Sequence, residues 1–94
     1  MNRAEILNTA LDYLMVDRAS THGDAEDSFT EIAKLWSWYN DNRTIPEGPF
    51  EARDVAMMMS LFKIGRIAGN DKHTDSYIDL AGYCAIAGEI STQE

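Results

Sequence analysis

The segment 50–68 is apolar on nearly every side when it is drawn as a helix. Its apolar residues are Val55, Ala56, Met57, Met58, Met59, Leu61, Phe62, Ile64 and Ile67. A helix with so little polar surface is normally buried on several sides. The segment is therefore either the centre of the monomer or part of a subunit interface. We predict from it that the chain forms a homodimer or a higher homo-oligomer.

Three further segments carry apolar residues at helical spacing. The four predicted helices cover about 2–16, 25–42, 50–68 and 74–90, and a connector that contains both prolines precedes the third. This pattern predicts an all-α, four-helix fold in one domain, 1–94. A chain of 94 residues buries a smaller fraction of its surface than a longer one does. Dimerisation would therefore help to complete its core.

Charge and composition exclude several classes of function. Asp and Glu number 16 against 8 for Lys and Arg, and the resulting net charge of −8 repels nucleic-acid backbones. No apolar stretch approaches the roughly 20 residues that cross a bilayer. Cys84 is the single cysteine, and the chain starts without the apolar run of a secretion signal. We expect a cytoplasmic protein that binds neither a nucleic-acid polymer nor a membrane.

Two pairs of acids are spaced one helical turn apart and so share a helix face. They are Asp27 with Glu31 in the second helix and Asp75 with Asp79 in the last. Carboxylates in this arrangement suit Mg²⁺, which is often shared between a few acids and the phosphates of a substrate. Both pairs lie opposite the apolar face of their helix, so they converge only across a cleft or between subunits.

Each acid pair also has a structural interpretation. Acids in a first turn stabilise the helix dipole, and a polar stripe opposite an apolar one is usually solvated surface. Asp27, Glu31 and Asp75 fit this alternative. Asp79 fits it least, because it lies a full turn further into its helix.

Other side chains are candidates for substrate binding. Lys63 and Arg66 are three residues apart in the third helix and are suited to hold phosphate oxygens, or else to serve solubility and the helix dipole. Trp38, on the stripe of Asp27 and Glu31, is either a platform for a nucleobase or an interface residue. His22 is a metal ligand or a base, or a local hydrogen-bonding residue of its loop.

Taken in order, four features resemble a family of small phage and prophage proteins of unassigned function. They are the loop His22-Gly23-Asp24, an acidic helix that ends in Trp, a Met-rich helix with Lys63-Ile-Gly-Arg66, and the segment Asp75-Ser-Tyr-Ile-Asp79-Leu-Ala-Gly-Tyr83. The resemblance covers about residues 18–90. More distantly, the two acidic helices are similar to those of the all-α MazG-type nucleoside triphosphate pyrophosphohydrolases.

The distant resemblance implies a reaction and a set of roles. In MazG-type enzymes, acids on two helices bind Mg²⁺, which holds a triphosphate while water attacks the α phosphorus. Carried over, Asp27 or Glu26, Glu31, Asp75 and Asp79 would hold the metal, and Glu31 would orient the water. Lys63 and Arg66 would bind phosphate, and Trp38 the base. Two positions depart from that family's pattern, because Ser28 and Ser76 stand where acids are expected.

Three functions follow as expectations. The first is a magnesium-dependent nucleoside triphosphate pyrophosphohydrolase that acts on small nucleotides, in the host-cell cytoplasm if the protein is phage-encoded. The second is a non-catalytic nucleotide-binding protein, which needs the basic residues and the tryptophan but not the full set of acids. The third is a helical protein-interaction module, for which an acidic surface and exposed aromatic residues are sufficient.

Overall fold

The computed structural model describes residues 1–17 and 25–93, with the side chains of residues 16–17 and 25–27 outside that description. Within these ranges the chain forms four α-helices and no strand, which confirms the all-α, four-helix prediction. The helices are α1 (Arg3–Asp12), α2 (Ala25–Asn42), α3 (Ala52–Gly69) and α4 (Thr74–Thr92). A π-helical segment, Tyr13–Asp17, follows α1. None of these helices has the length and apolar character that a membrane span requires.

The apolar helix α3 lies between α2 and α4. Ile32 of α2 packs against Gly65, whereas Lys63 forms an ion pair with Asp79 of α4 at 3.0 Å. Residues two apart on a helix point about 200° apart, so α2 and α4 flank α3 on opposite sides. The structure therefore places this helix at the centre of the monomer, and its part in a subunit interface stays a prediction.

Both neighbours of α3 run antiparallel to it. Along α2, Trp36 Nε1 donates to the carbonyl oxygen of Met58 at 2.7 Å and the Tyr39 hydroxyl donates to Asp54 at 2.7 Å. A short turn at residues 70–73 leads from α3 into α4, which folds back along it. No extensive interface joins α2 to α4. The three helices therefore form a single layer rather than a bundle.

The start of the third helix differs from the sequence prediction. The predicted helix begins at residue 50, but Glu51 is the N-cap of α3, and its backbone N–H donates to the carboxylate of Asp54 at 2.9 Å. The last helix begins at Thr74, and its N-cap is His73 rather than Thr74. His73 Nδ1 lies 2.8 Å from Ser76 Oγ, a local hydrogen bond within the first turn.

The buried core is small. Among the described residues, Ile32, Ala56 and Ala87 are the buried apolar residues. In α2, the contact line with α3 runs through Ile32 and the half-buried Trp36. Phe29 belongs to the apolar face expected from the sequence, but its side chain is exposed. The apolar face of α2 is thus wider than the part of it that α3 covers.

The apolar pattern of the last helix predicts a packing face of Tyr77, Ile78, Leu80, Ala81, Cys84 and Ala85, and this prediction is wrong in part. Ser76 and Ala87 are the buried residues of α4, whereas Tyr77 and Ile78 of the predicted face are exposed. The cause is that α4 carries apolar residues on every side, so periodicity does not show which side meets α3. Its outer surface is therefore an uncovered apolar surface.

The first helix covers no core. None of its residues is buried, and Leu7 and Leu11 are 68% and 54% exposed. The apolar stripe predicted for this helix is the set Ile6, Leu7, Ala10, Leu11 and Leu14. An isolated helix of 10 residues is only marginally stable in water. We therefore expect its apolar stripe to pack on another surface.

The accessible surface of the chain is larger than a single folded domain of this mass requires. It measures 6986 Å², whereas a monomer of 10.6 kDa is expected to expose about 5,500 Å². The excess is roughly 1,500 Å². The Cα radius of gyration is 15.7 Å, against about 12 Å for a compact domain of this length. A single layer of helices, and an α1 with no buried residue, contribute to both values, which are for the whole chain.

Gly65 permits the close approach of α2 and α3. A Cβ atom at this position would lie 2.6 Å from Ile32 Cγ1, which is too close for a buried, well-packed side chain. We expect Gly65→Ala to lower the free energy of unfolding by about 1–3 kcal/mol, because overpacking outweighs the better helix propensity of alanine. Chemical denaturation measures this difference.

Gly82 supplies the matched control for that substitution. A Cβ atom there would have no neighbour within 4 Å. Gly82→Ala is therefore expected to raise the free energy of unfolding by about 0.5–1 kcal/mol through helix propensity alone. Equal effects of the two substitutions would contradict the packing assigned to Gly65.

Candidate functional site

Asp79, the acid that the sequence singles out most clearly, is paired with a base. Its Oδ2 lies 3.0 Å from Lys63 Nζ, and its side chain is 46% exposed. Asp75, one turn earlier, is also exposed. The structure thus brings together one predicted metal ligand and one predicted phosphate-binding residue.

The acids of α2 lie elsewhere. The Glu31 carboxylate is exposed and forms an ion pair with Lys34 at 2.9 Å, as neighbouring residues of a solvated helix face do. The side chains of Glu26 and Asp27 lie outside the described residues, and so does His22. Ser28, one of the two departures from the hydrolase pattern, is half-buried.

Among residues 1–15 and 28–93, no group of three or more acids, histidines or cysteines is arranged to hold a metal ion. The layer explains this geometry, because Glu31 comes from α2 and Asp79 from α4, on opposite sides of α3. Ser76, where the hydrolase pattern has an acid, is only 1% exposed. An ionised carboxylate at that position would lose its hydration.

The two predicted phosphate-binding residues share one aromatic neighbour. Lys63 Nζ lies 5.5 Å and Arg66 Cζ 4.8 Å from the centroid of the Phe62 ring, within the range of cation–π attraction. Trp38 is 62% exposed on α2, the helix on the far side of α3 from Asp79. These residues therefore do not converge on one pocket in a single copy of the chain.

The most buried polar cluster of the described residues lies at the other end of α3. The contacts within this cluster were not predicted from the sequence. Arg43 Nη1 lies 3.2 Å from Asp54 Oδ2, and the two side chains are 5% and 3% exposed. The other oxygen of Asp54 accepts the Tyr39 hydroxyl at 2.7 Å. Arg43 also donates to the carbonyl oxygens of Gly48 and Pro49 in the connector. The cluster fixes α2, the connector and α3 to one another.

Neighbouring donors stabilise the charged form of Asp54. The Glu51 N–H, the Tyr39 hydroxyl and the positive charge of Arg43 lower the pKa of its carboxyl, in that order of importance, against an opposing effect of burial. Burial, followed by the bond to Asp54, raises the pKa of the Tyr39 hydroxyl. Both shifts keep the donor and the acceptor in the states that the hydrogen bond needs.

Because the pKa of Asp54 is lowered in the folded state, the fold is expected to lose stability at acid pH. The unfolded carboxyl titrates at about 3.9, and the folded one at lower pH. The stabilisation of the fold by ionised Asp54 is complete above the pKa of the unfolded state. It is lost as the pH falls through the pKa of the folded state. We expect the melting temperature to fall below about pH 4, with a smaller fall in Asp54→Asn than in the exposed control Asp41→Asn. Parallel profiles from pH 3 to pH 7 would contradict this.

The helical layer has two broad open faces. Val55 and Ile64 are nine residues apart, which is 180° on a helix, and they are 54% and 43% exposed. Asp79 contacts Lys63 on the side of Val55, and Ile86 lies two turns beyond Asp79 on the same stripe. Phe29 is three residues before Ile32, which faces α3. Because α2 is antiparallel to α3, this spacing places Phe29 on the side of Val55.

We name the surface formed by Phe29, Val55, Phe62 and Ile86 the Val55 face. The opposite surface contains Ile64 and Tyr77 and is named the Ile64 face. Phe29 and Ile86 are each about half exposed. Each of the three helices thus contributes a large exposed apolar side chain to the Val55 face. On the Ile64 side, α2 contributes both Trp38 and the Glu31–Lys34 ion pair.

Comparison with known proteins gives a consistent family. Residues 5–91 match the family described as "Domain of unknown function (DUF6378)". The chain is 37% identical over 89 residues to the Gene 55 protein of Mycobacterium phage L5, which covers 95% of this chain and 54% of that protein. It is 33% identical over 85 residues to the Gene 55 protein of Mycobacterium phage D29, with 90% and 52% covered.

The chain spans about half the length of these curated relatives. No solved structure matches it. The resemblance to phage proteins of unassigned function is confirmed by these matches. The chain belongs to the DUF6378 family.

Proposed function

We propose that the chain is a helical protein-interaction module whose single layer of helices is completed by another protein surface. One observation carries this proposal: α3 is apolar on nearly every side, yet within residues 1–17 and 25–93 neighbouring helices flank it on only two sides. Val55 and Ile64 point from α3 to the two open faces and are about half exposed.

The physical reason is the usual architecture of domains. Stable domains pack two or more layers of secondary structure around one core, and here α2, α3 and α4 supply one layer. Contiguous exposed apolar surface is typical of protein-binding sites. The excess of accessible surface, roughly 1,500 Å², is of the size that one subunit buries in a stable complex, about 800 Å² or more.

Two measurements on the purified chain test this proposal. Sedimentation equilibrium gives the mass in solution, and the dye 8-anilinonaphthalene-1-sulfonate reports exposed apolar surface. We expect either a mass above 10.6 kDa or, for a monomer, strong dye binding in the folded state. A cooperatively folded monomer that binds no dye would contradict the proposal, because its apolar faces would already be covered.

Magnesium-dependent hydrolysis of a nucleoside triphosphate is a second candidate function, in line with the distant MazG-type resemblance. One observation favours it: one predicted acid and the neighbour of another contact the same turn of α3, the turn that carries Lys63 and Arg66. Ile32, which follows Glu31, packs against Gly65 on one side of this turn. Asp79 forms an ion pair with Lys63 on the other side. Acids from two copies of the chain would have to combine to complete the metal site. Work on nucleotides would take place in the host-cell cytoplasm.

The roles follow from the residues at that turn. Lys63 and Arg66 would bind phosphate oxygens, and Asp79, released from Lys63, would join Asp27, Glu31 and Asp75 around Mg²⁺. Glu31 would orient the attacking water, and Trp38 would stack on the base. A bound Mg²⁺ would neutralise phosphate charge and position the triphosphate. Without hydrolysis, Lys63, Arg66 and Trp38 would serve nucleotide binding alone.

Asp79→Asn separates this candidate from the interaction module. With a panel of nucleoside triphosphates and Mg²⁺, we expect the wild type to release monophosphate and pyrophosphate, and the variant to lose about 100-fold or more of that activity. The control Asp41→Asn removes an exposed charge at the far end of α2 and should retain activity. A wild type without activity, and without a nucleotide-induced rise in melting temperature, would exclude both nucleotide functions.

A further inference from the structure

We infer that α1 of a second copy of this chain packs on the Val55 face. This inference rests on the proposed interaction module and names its partner. It pairs two apolar surfaces that the described structure leaves uncovered. One is the α1 stripe, which is Ile6, Leu7, Ala10 and Leu11 of α1 together with Leu14 of the π-helical segment. The other is the Val55 face, Phe29, Val55, Phe62 and Ile86.

The first helix has an apolar side that its own chain leaves uncovered. It is a helix of 10 residues with an N-cap, since Asn2 Oδ1 accepts the Glu5 N–H at 2.9 Å. Glu5, Asn8 and Asp12 lie on the polar side of α1, whereas Arg3 lies at the N-terminal end of the apolar stripe. A cap and a polar side fit a helix that has one buried side, and no residue of α1 is buried in its own chain.

The exposed area is large enough for such a contact. The whole chain exposes roughly 1,500 Å² more than expected for its mass, while a standard interface takes about 800 Å² from each partner and obligate homodimers take more. Exchange of α1 about a two-fold axis covers both surfaces twice, because the same pair of patches meets on each side of the axis. An interface of standard size between two copies therefore fits within the excess.

The exposure of the ion pairs distinguishes the two faces. Each face has a large exposed apolar side chain from every helix of the layer: Phe29, Val55 and Ile86 on one, and Trp38, Ile64 and Tyr77 on the other. The Lys63–Asp79 pair on the side of Val55 is 19% and 46% exposed, whereas the Glu31–Lys34 pair on the Ile64 side is 65% and 67% exposed. Burying the more exposed pair under an apolar helix would cost more hydration. The Val55 face is thus the better site for the leucines of α1.

The test uses cysteine cross-linking between copies. In a Cys84→Ser background, chains with Ala10→Cys on α1 are mixed with chains that carry either Val55→Cys or Ile64→Cys. A flexible bis-maleimide links thiols that lie close together. We expect the Val55 mixture to give at least 10-fold more cross-linked heterodimer than the Ile64 mixture. Ala10→Cys leaves the large apolar residues of α1 in place, and the two partner positions are on one helix at similar exposure.

Each other outcome overturns the inference and says whether the interaction module survives. An oligomer that cross-links equally well or better at Ile64 would show that α1 does not pack on the Val55 face. The proposed interaction function would be retained in that case. A dye-binding monomer would show that some other protein covers the Val55 face. A monomer that binds no dye would overturn both the inference and the proposed function.

Discussion

Replacement of Asp54 by alanine is expected to lower the free energy of unfolding by about 3–5 kcal/mol, because it leaves the Arg43 charge buried without its partner. Asp54 is 3% and Arg43 5% exposed, so water does not replace the lost carboxylate. The Tyr39 hydroxyl and the Glu51 N–H lose their acceptor as well. Chemical denaturation followed by circular dichroism measures the change.

Asp41→Ala is the matched control for that substitution. Asp41 is an exposed acid near the end of α2, so its removal changes the net charge equally and is expected to alter stability by about 0.5 kcal/mol or less. Similar effects at the two positions would show that the loss comes from overall charge. The assignment of Asp54 as the residue that fixes α2 to α3 would then be wrong.

Leu11→Asp is expected to weaken association between copies by about 3 kcal/mol, or roughly 150-fold in Kd, because it places a charge in the centre of the α1 stripe. Leu11 is 54% exposed within its own chain. The folded monomer should therefore keep its stability while the oligomer dissociates. Sedimentation equilibrium over a range of concentrations gives the dissociation constant.

Asn8→Asp adds the same charge to the polar side of α1. Asn8 is exposed and lies on the polar side of α1 with Glu5 and Asp12, so we expect Kd to change by less than about 3-fold. If Asn8→Asp and Leu11→Asp weaken association equally, the cause is charge repulsion rather than loss of an apolar contact. An undiminished association of Leu11→Asp would remove α1 from the interface.

The all-α architecture was predictable because its signals are local. Apolar residues at helical spacing, with Gly and Pro between them, predict four helices, and four are present in the described residues. The apolar character of α3 also limited its position to a centre or an interface. The structure has it at the centre of a layer whose open faces leave room for an interface as well.

The arrangement of the candidate site was not predictable, because it depends on which sides of α3 are occupied. No local signal indicates that Gly65 faces α2 and Lys63 faces α4. Those two contacts separate Glu31 from Asp79. The uniform apolar character of α4 likewise conceals that Ser76, rather than Ile78, is buried.

The Arg43–Asp54 pair was hidden for a different reason. Asp54 is three residues after the N-cap of α3, where an acid is explained by the helix dipole alone. Arg43 follows the end of α2, where a base is equally ordinary. Their contact requires the connector to fold back so that α2 and α3 lie side by side. A buried ion pair across a hairpin of this kind becomes visible only when the hairpin is known.

The dependence of the melting temperature on protein concentration tests the central claim most directly, namely that a second copy completes the helical layer. A fold coupled to self-association is stabilised by mass action. We predict that the melting temperature rises by several degrees between about 1 and 100 μM chain, and that Leu11→Asp abolishes this rise whereas Asn8→Asp preserves it. A melting temperature that is constant across this range, in a cooperatively folding wild type, would contradict the claim.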